Sequence, residues 1–119
     1  MQQSPEFLKL VDDVKNNIKE VSVTETIQKI KTGAHLIDVR EDNEWNEGRA
    51  KDALHLGRGI IERDIVSKIP DKNAEVILYC GGGFRSALSA DNLQKMGYNN
   101  VYSMEGGWKA WKDAGAPTE

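Results

Sequence analysis

Short apolar segments of two kinds alternate along this chain. The first is amphipathic: from Pro5 onward, apolar side chains recur every three or four residues, which predicts a helix over about 5–19. Later segments, such as residues 76–79, are continuous apolar runs that are typical of buried strands. We expect Thr24 to cap a second helix and Gly33 to end it. The full pattern predicts strands at 20–22, 35–39, 53–56, 76–80 and 101–104, with further helices at 24–33, 43–47, 60–69, 86–96 and 108–114.

The order of these elements predicts the class of fold. Strands that alternate with helices favour an α/β fold, with a mostly parallel central sheet of about five strands and helices on both faces. Parallel sheets place functional sites at the carboxyl ends of their strands. Cys80, the pair Asp38 and Arg40, and residues 104–107 all follow predicted strands, so we expect these loops to form one surface.

Length and charge narrow the classes of function. The 119 residues are enough for one unit, in which the N-terminal helix (1–19) packs on a domain of residues 20–119. A net charge of -3 without a basic block argues against nucleic acid or a membrane as partner, and no apolar run is long enough to span a bilayer. The N-terminus lacks the features of a signal peptide, so we expect a cytoplasmic protein, and nothing calls for more than a monomer. The single cysteine forms no internal disulfide, and no Cys/His cluster has the spacing of a metal site.

The most informative segment is 80–85, Cys-Gly-Gly-Gly-Phe-Arg, where a predicted strand meets a predicted helix. A lone cysteine is often a small buried hydrophobe, and a glycine turn can be only a tight connection. Three successive glycines carry an entropic cost, however, and are useful where a ligand approaches the backbone. Amide groups and a helix N-terminus at such a turn stabilise a thiolate, the reactive form of sulfur. We therefore predict that Cys80 is a nucleophile in an anion cradle formed by Gly81, Gly82, Gly83, Phe84, Arg85 and Ser86.

Four other side chains near the strand ends have predicted supporting roles. We expect Arg85 to brace the loop through a carboxylate rather than to contact a bound anion. Asp38 lies in an apolar run and must be paired if buried, so we expect a structural clamp to backbone or arginine. Arg40 can contact an anion or pair with a loop acid, and Trp108 can form a wall of the pocket. Both histidines are expected to be structural or exposed, which disfavours a Cys–His–Asn triad.

Four motifs carry a resemblance to a known family. They are Leu-Ile-Asp-Val-Arg-Glu at 36–41, Glu-Trp-x-x-Gly at 44–48, Cys-x-x-Gly-x-Arg-Ser at 80–86 and Gly-Gly-Trp-x-x-Trp at 106–111. In this order and spacing, the chain resembles the single-domain form of the rhodanese (sulfurtransferase) family from about Val21 to Pro117. It departs from the family pattern at 49–53, where that family often has His-Ile-Pro-Gly-Ala. It departs again in the loop, which has no charged side chain between Cys80 and Arg85.

The resemblance implies a rhodanese-like fold and thiosulfate sulfurtransferase activity without a metal or an organic cofactor. Cys80 would take a sulfane sulfur from thiosulfate or a related small anionic donor and hold it as a persulfide. The acceptor would be cyanide or a thiol, including a protein thiol. The uncharged loop leaves the choice of donor open, because rhodaneses that favour thiosulfate often carry a basic residue there.

Two alternatives stay open at the level of sequence. One is a persulfide carrier or docking module with little turnover of its own. The other is the chemistry of dual-specificity phosphatases or arsenate reductases, which use a similar loop of the form Cys-x5-Arg. This chain has the shorter Cys-x4-Arg, whose narrower cradle suits a sulfur atom better than a phosphoryl group. It also lacks a second cysteine for the resolving step of a reductase.

Overall fold

The computed structural model describes residues 3–119, in which every element predicted from the apolar pattern is present. The helices are α1 (Pro5–Lys15), α2 (Val23–Lys31), α3 (Asp42–Asn46), α4 (Ile61–Lys68), α5 (Phe84–Lys95) and α6 (Gly107–Asp113). The strands are β1 (Lys19–Val21), β2 (His35–Asp38), β3 (Leu54–His55), β4 (Val76–Tyr79) and β5 (Val101–Met104). Within this part of the chain, no helix combines the length and the apolar character needed to cross a membrane.

The strands form one sheet in the order β1-β5-β4-β2-β3, and all neighbouring strands are parallel. The predicted α/β class with a mostly parallel sheet is therefore confirmed. β4 lies at the centre, where Leu78 is in register with Ile37 of β2 and Ser103 of β5. Because the strands run in the same direction, the segments that follow β2, β4 and β5 leave the sheet at one edge.

Helices cover both faces of the sheet. One face packs against α4 and α5, and the other packs against α2 and α6. Successive side chains of a strand point to opposite faces. In and just after β4, this alternation puts Leu78 and Cys80 on the α4–α5 side and Ile77 and Tyr79 on the α2–α6 side. The side chain of Cys80 is thus directed toward the helix that begins just after it.

α1 packs against α5. Its side chain Val11 is 1% exposed and lies in a cluster with Ala87 and Leu88 of α5. Phe7 and Phe84 pack at the edge of the same cluster, with their rings 6.3 Å apart and nearly perpendicular. α1 therefore lies on the helix that starts at the cysteine loop.

Two boundaries differ from the predicted ones for physical reasons. The expected cap Thr24 is wrong, because Ser22 caps α2: its hydroxyl accepts from the Glu25 amide, and the Glu25 carboxylate accepts from the Ser22 amide, both at 3.0 Å. This reciprocal capping box satisfies two amides that the helix leaves free. α1 ends at Lys15 instead of near residue 19, because residues 19–21 pair with β5. Strand pairing there outweighs the helical spacing of the apolar residues.

Candidate active site

Three loops meet at the carboxyl edge of the sheet. The carbonyl of Cys80, after β4, accepts a hydrogen bond of 2.7 Å from the amide of Trp108 at the start of α6. The Trp108 ring in turn lies 4.9 Å from the guanidinium carbon of Arg40, which follows β2. The loops after β2, β4 and β5 thus form a connected surface, as the positions of their residues in the chain predicted.

The sulfur of Cys80 is buried, with the residue 1% exposed, and it is surrounded by hydrogen-bond donors as well as apolar atoms. Sγ accepts from the amide of Gly83 at 3.1 Å and from the amide of Ser86 at 3.4 Å. The Ser86 hydroxyl lies 3.5 Å from the same sulfur. Amide dipoles that converge on one atom favour negative charge there. The site can therefore hold an anionic sulfur without a neighbouring base.

Glycine is required at two points of this arrangement. Gly83 has a φ of 99°, in the left-handed region that side chains rarely adopt, and α5 begins at the next residue. At Gly107, an added Cβ would overlap the carbonyl oxygen of Cys80, so only a glycine lets α6 approach the loop this closely. Gly83 thus allows the turn that directs amides at the sulfur. Gly107 allows α6 to pack against the backbone of Cys80 and Gly81.

Arg85 pairs with Glu44 of α3 and does not enter the cradle. Its Nη1 and Nη2 donate to Oε1 and Oε2 at 2.6 and 3.0 Å. These hydrogen bonds lower the pKa of Glu44 and raise that of Arg85, so both groups are charged. The pair ties the first turn of α5 to α3, which is the bracing role expected of Arg85.

Asp38 and Arg40 form a second ion pair, which is buried. Asp38 accepts from the Arg40 amide at 2.8 Å and from the guanidinium at 2.7–3.1 Å. Nη2 of Arg40 also donates to the Gly48 carbonyl at 2.7 Å. This is the structural clamp expected of Asp38, and the acid that Arg40 meets belongs to β2 rather than to a loop. With Arg40 only 3% exposed, its charge is not presented to a ligand.

Comparison with known proteins identifies this arrangement. Residues 22–114 match the family described as the rhodanese-like domain. The chain belongs to this family. α1 precedes the matched residues and packs on α5, the helix that follows the cysteine loop.

Two curated relatives are sulfurtransferases by name. YtwF of Bacillus subtilis, whose assignment as a sulfurtransferase is itself provisional, is 36% identical over 104 residues, which are 84% of this chain and 96% of that protein. The thiosulfate sulfurtransferase GlpE of Coxiella burnetii is 33% identical over 95 residues, covering 79% of this chain and 87% of GlpE. Membership of the rhodanese family and these relatives support sulfur transfer as the general activity.

A solved structure gives a different label. The protein RPA3614 of Rhodopseudomonas palustris, of unknown function and described as a "possible tyrosine phosphatase", is 28% identical with a TM-score of 0.83. The match covers 100% of this chain and 99% of that one. The two proteins therefore share one fold along the entire described chain, including α1.

Sequence reasoning missed three side chains of this rhodanese site. Glu44 was part of a recognised motif but was not identified as the partner of Arg85. Ser103 of β5, whose hydroxyl lies 2.8 Å from that of Ser86, could have been noticed as a polar residue inside an apolar strand. Tyr79 has a pKa raised above its usual value by burial and by nearby Asp38, and its hydroxyl accepts from the Ala50 amide. No sequence signal marked that contact.

Phe84 and Trp108 lie beside the cradle. The Phe84 ring packs against Phe7 of α1, and the Lys15 ammonium lies 5.6 Å from its centroid. Trp108 packs between Arg40 and Lys112, 4.9 and 5.4 Å from its ring. Both aromatic side chains are thus engaged in packing, and the role of Trp108 as a wall of the pocket stays a prediction.

A cavity of about 690 Å³ opens at the ends of β2 and β3. Its lining includes Arg40, Glu41, Asp42 and His55 but no residue of segment 80–86. Because the Arg40 guanidinium is paired with Asp38, the carboxylates of Glu41 and Asp42 would repel an anionic sulfur donor. The His55 ring is occupied by a 2.8 Å contact with the Arg40 carbonyl and by stacking on Trp45. This cavity is therefore separate from the cradle of Cys80.

Proposed function

We propose that this rhodanese is a sulfurtransferase that moves a sulfane sulfur through a persulfide on Cys80. The observation that carries the proposal is the convergence of the Gly83 and Ser86 amides on Sγ. The cradle suits an anionic sulfur both before and after it has gained a second sulfur atom. Because catalysis is then covalent, donor and acceptor bind in turn and the kinetics are ping-pong.

In the first half-reaction, the Cys80 thiolate attacks the outer sulfur of thiosulfate. A new S–S bond forms at the enzyme, the S–S bond of the donor breaks, and sulfite leaves with the electron pair. The persulfide carries the negative charge, which the loop amides stabilise as they would an oxyanion. In the second half-reaction, cyanide or a thiolate attacks the outer sulfur, and Cys80 leaves as a thiolate again.

The identity of the donor is open within this chemistry. Arg85 is paired with Glu44 and Arg40 with Asp38, so neither guanidinium is free to recognise the sulfonate end of thiosulfate. We therefore expect persulfide donors without a sulfonate group to work at least as well as thiosulfate. The candidate donors can be ranked by measuring turnover under one set of conditions. The panel is thiosulfate, a mercaptopyruvate-type donor and glutathione persulfide.

The experiment that tests the proposal is a mass measurement. After incubation with thiosulfate, the intact protein should gain the mass of one sulfur atom, and cyanide should remove it and form thiocyanate. Cys80→Ser is the control, because the chain has no other cysteine to carry the sulfur. An unchanged mass with every donor in the panel overturns the proposal. A gain in mass without multiple turnovers favours the carrier module.

Phosphatase activity is the second candidate, since the label of the Rhodopseudomonas palustris protein favours it. Against it stands the loop itself: the arginine that would bind a phosphoryl group is held outside the cradle by Glu44. Hydrolysis of an aryl phosphate that depends on Cys80, together with no gain of sulfur, would select the phosphatase.

A further inference from the structure

Two buried hydroxyls form a hydrogen-bonded chain that ends on the reacting sulfur. Ser86 Oγ lies 3.5 Å from Cys80 Sγ and 2.8 Å from Ser103 Oγ. Ser86 and Ser103 are both 0% exposed. Ser103 belongs to β5, the strand beside β4, and has no place in the cysteine loop. A buried hydroxyl is costly unless it is hydrogen-bonded, and the partner of Ser103 is Ser86.

The chain of hydroxyls can be ordered in two directions, because either serine can be the donor in their shared hydrogen bond. When the sulfur carries a proton, S–H donates to Ser86, and the Ser86 hydroxyl donates to Ser103. When the sulfur is an anion, the Ser103 hydroxyl donates to Ser86, and the Ser86 hydroxyl donates to the sulfur. Neither serine gains or loses a proton in this change, since only the O–H bonds rotate.

We propose that Ser103 is a positioning residue that turns the Ser86 hydroxyl toward the sulfur whenever that sulfur is negative. The amides of Gly83 and Ser86 are fixed donors, whereas the Ser86 hydroxyl can rotate to donate either to the sulfur or to the Ser103 oxygen. When Ser103 donates to the Ser86 oxygen, the Ser86 hydrogen is left to point at the sulfur, and that hydrogen bond is strengthened by the one before it. The inference rests on the proposed function of Cys80 and adds to it a residue from outside the recognised motifs.

No charged side chain on the neighbouring elements forms a hydrogen bond with Ser103 in the described part of the chain, because the Ser103 hydroxyl meets that of Ser86. Arg85 interacts with the Cys80 sulfur through its charge, and its guanidinium is held by Glu44. The other charged side chains on the packed elements include the Asp38–Arg40 pair, the Lys95–Asp91 and Lys109–Asp113 pairs, Lys15 over Phe84, Lys112 over Trp108 and the exposed Glu105. A shift in the pH profile of Ser103→Ala therefore reports on the hydroxyl chain.

The test is the rate of Cys80 alkylation by iodoacetamide as a function of pH. Ser103→Ala should move this profile to higher pH by about half a unit, because an anionic sulfur loses the benefit of one oriented donor. The matched control is Ser89→Ala, which removes a buried hydroxyl one turn further along α5. The Ser89 hydroxyl has no hydrogen-bond partner within residues 3–119, so the profile of this variant should not move.

A double substitution separates positioning from packing. If Ser103 acts through Ser86, then Ser103→Ala should have no further effect on the profile in a Ser86→Ala background. The inference would be overturned if Ser103→Ala shifted the alkylation profile as far in the Ser86→Ala background as in the wild type. It would also be overturned if Ser103→Ala and Ser89→Ala gave equal shifts. Urea unfolding of each variant confirms that the folded protein is compared. Alkylation needs no sulfur donor, so the result stands apart from the outcome of the persulfide experiment.

Discussion

Arg85 and Glu44 join the cysteine loop to α3 through two parallel hydrogen bonds, 2.6 and 3.0 Å long, between residues 41 positions apart in the chain. An arginine fork on a carboxylate fixes orientation as well as distance. Gly81 lies against this pair, since a Cβ on it would be 3.0 Å from Nη2 of Arg85. The shape of the cradle therefore depends on Glu44, a side chain of α3 that lies outside the cysteine loop.

Replacing Glu44 should weaken catalysis by loosening the loop. Glu44→Gln keeps the size of the side chain but removes the charge that orients Arg85, and we expect kcat/KM for sulfur transfer to fall about tenfold, equivalent to about 1.4 kcal/mol. The control is Asp113→Asn, which removes an exposed carboxylate that pairs with Lys109 at the end of α6. Equal activities for the two variants would show that the brace has no influence on the cradle.

The same pair makes stability depend on pH. Its hydrogen bonds to Arg85 hold the pKa of Glu44 below the ordinary value, so the pair stabilises the folded state fully above the unfolded pKa of about 4.3. That contribution is lost as the pH falls through the lower, folded pKa. The difference in unfolding free energy between the wild type and Glu44→Gln should therefore be constant from pH 7 to about 5 and shrink below about 4. Urea titrations across this range measure it, and a difference that grows on acidification would contradict the assignment.

Asp38 and Arg40 illustrate the opposite case, a pair that is buried and structural. Asp38→Asn leaves the Arg40 guanidinium in the interior without its counter-charge, which should lower the unfolding free energy by about 3–5 kcal/mol. The matched change is Asp13→Asn, because Asp13 pairs with Lys9 on the exposed surface of α1. Urea unfolding should show little effect there. A similar loss for both substitutions would mean that Arg40 finds a new partner.

The contrast between these pairs shows what local patterns can reveal. Apolar runs and glycine turns predicted the strands, the helices and the position of Cys80 after the central strand, because these depend on neighbouring residues. They could not predict that Glu44 would meet Arg85 or that Ser103 would lie under Ser86. Those contacts arise only when β2, β4 and β5 are placed side by side in the sheet. For Arg40, the acid two residues away was visible, but its burial, which removes it from ligand binding, was not.

The close approach of α6 to the cysteine loop gives a final prediction, at Gly107. Gly107 and Gly33 both have positive φ, 54° and 104°, so alanine at either position should cost about 1 kcal/mol in backbone strain. Gly33 has no atom within 4 Å of an added Cβ, whereas at Gly107 that Cβ would overlap the Cys80 carbonyl and lie 2.8 Å from the Gly81 backbone. Gly107→Ala must therefore push the loop away from α6, so that the loop amides no longer point at the sulfur.

We expect persulfide formation to fall more than about tenfold in Gly107→Ala and to stay near the wild-type rate in Gly33→Ala. Single-turnover formation of the persulfide, followed by mass, measures both, and equal rates in the two variants would show that the α6 contact does not shape the cradle.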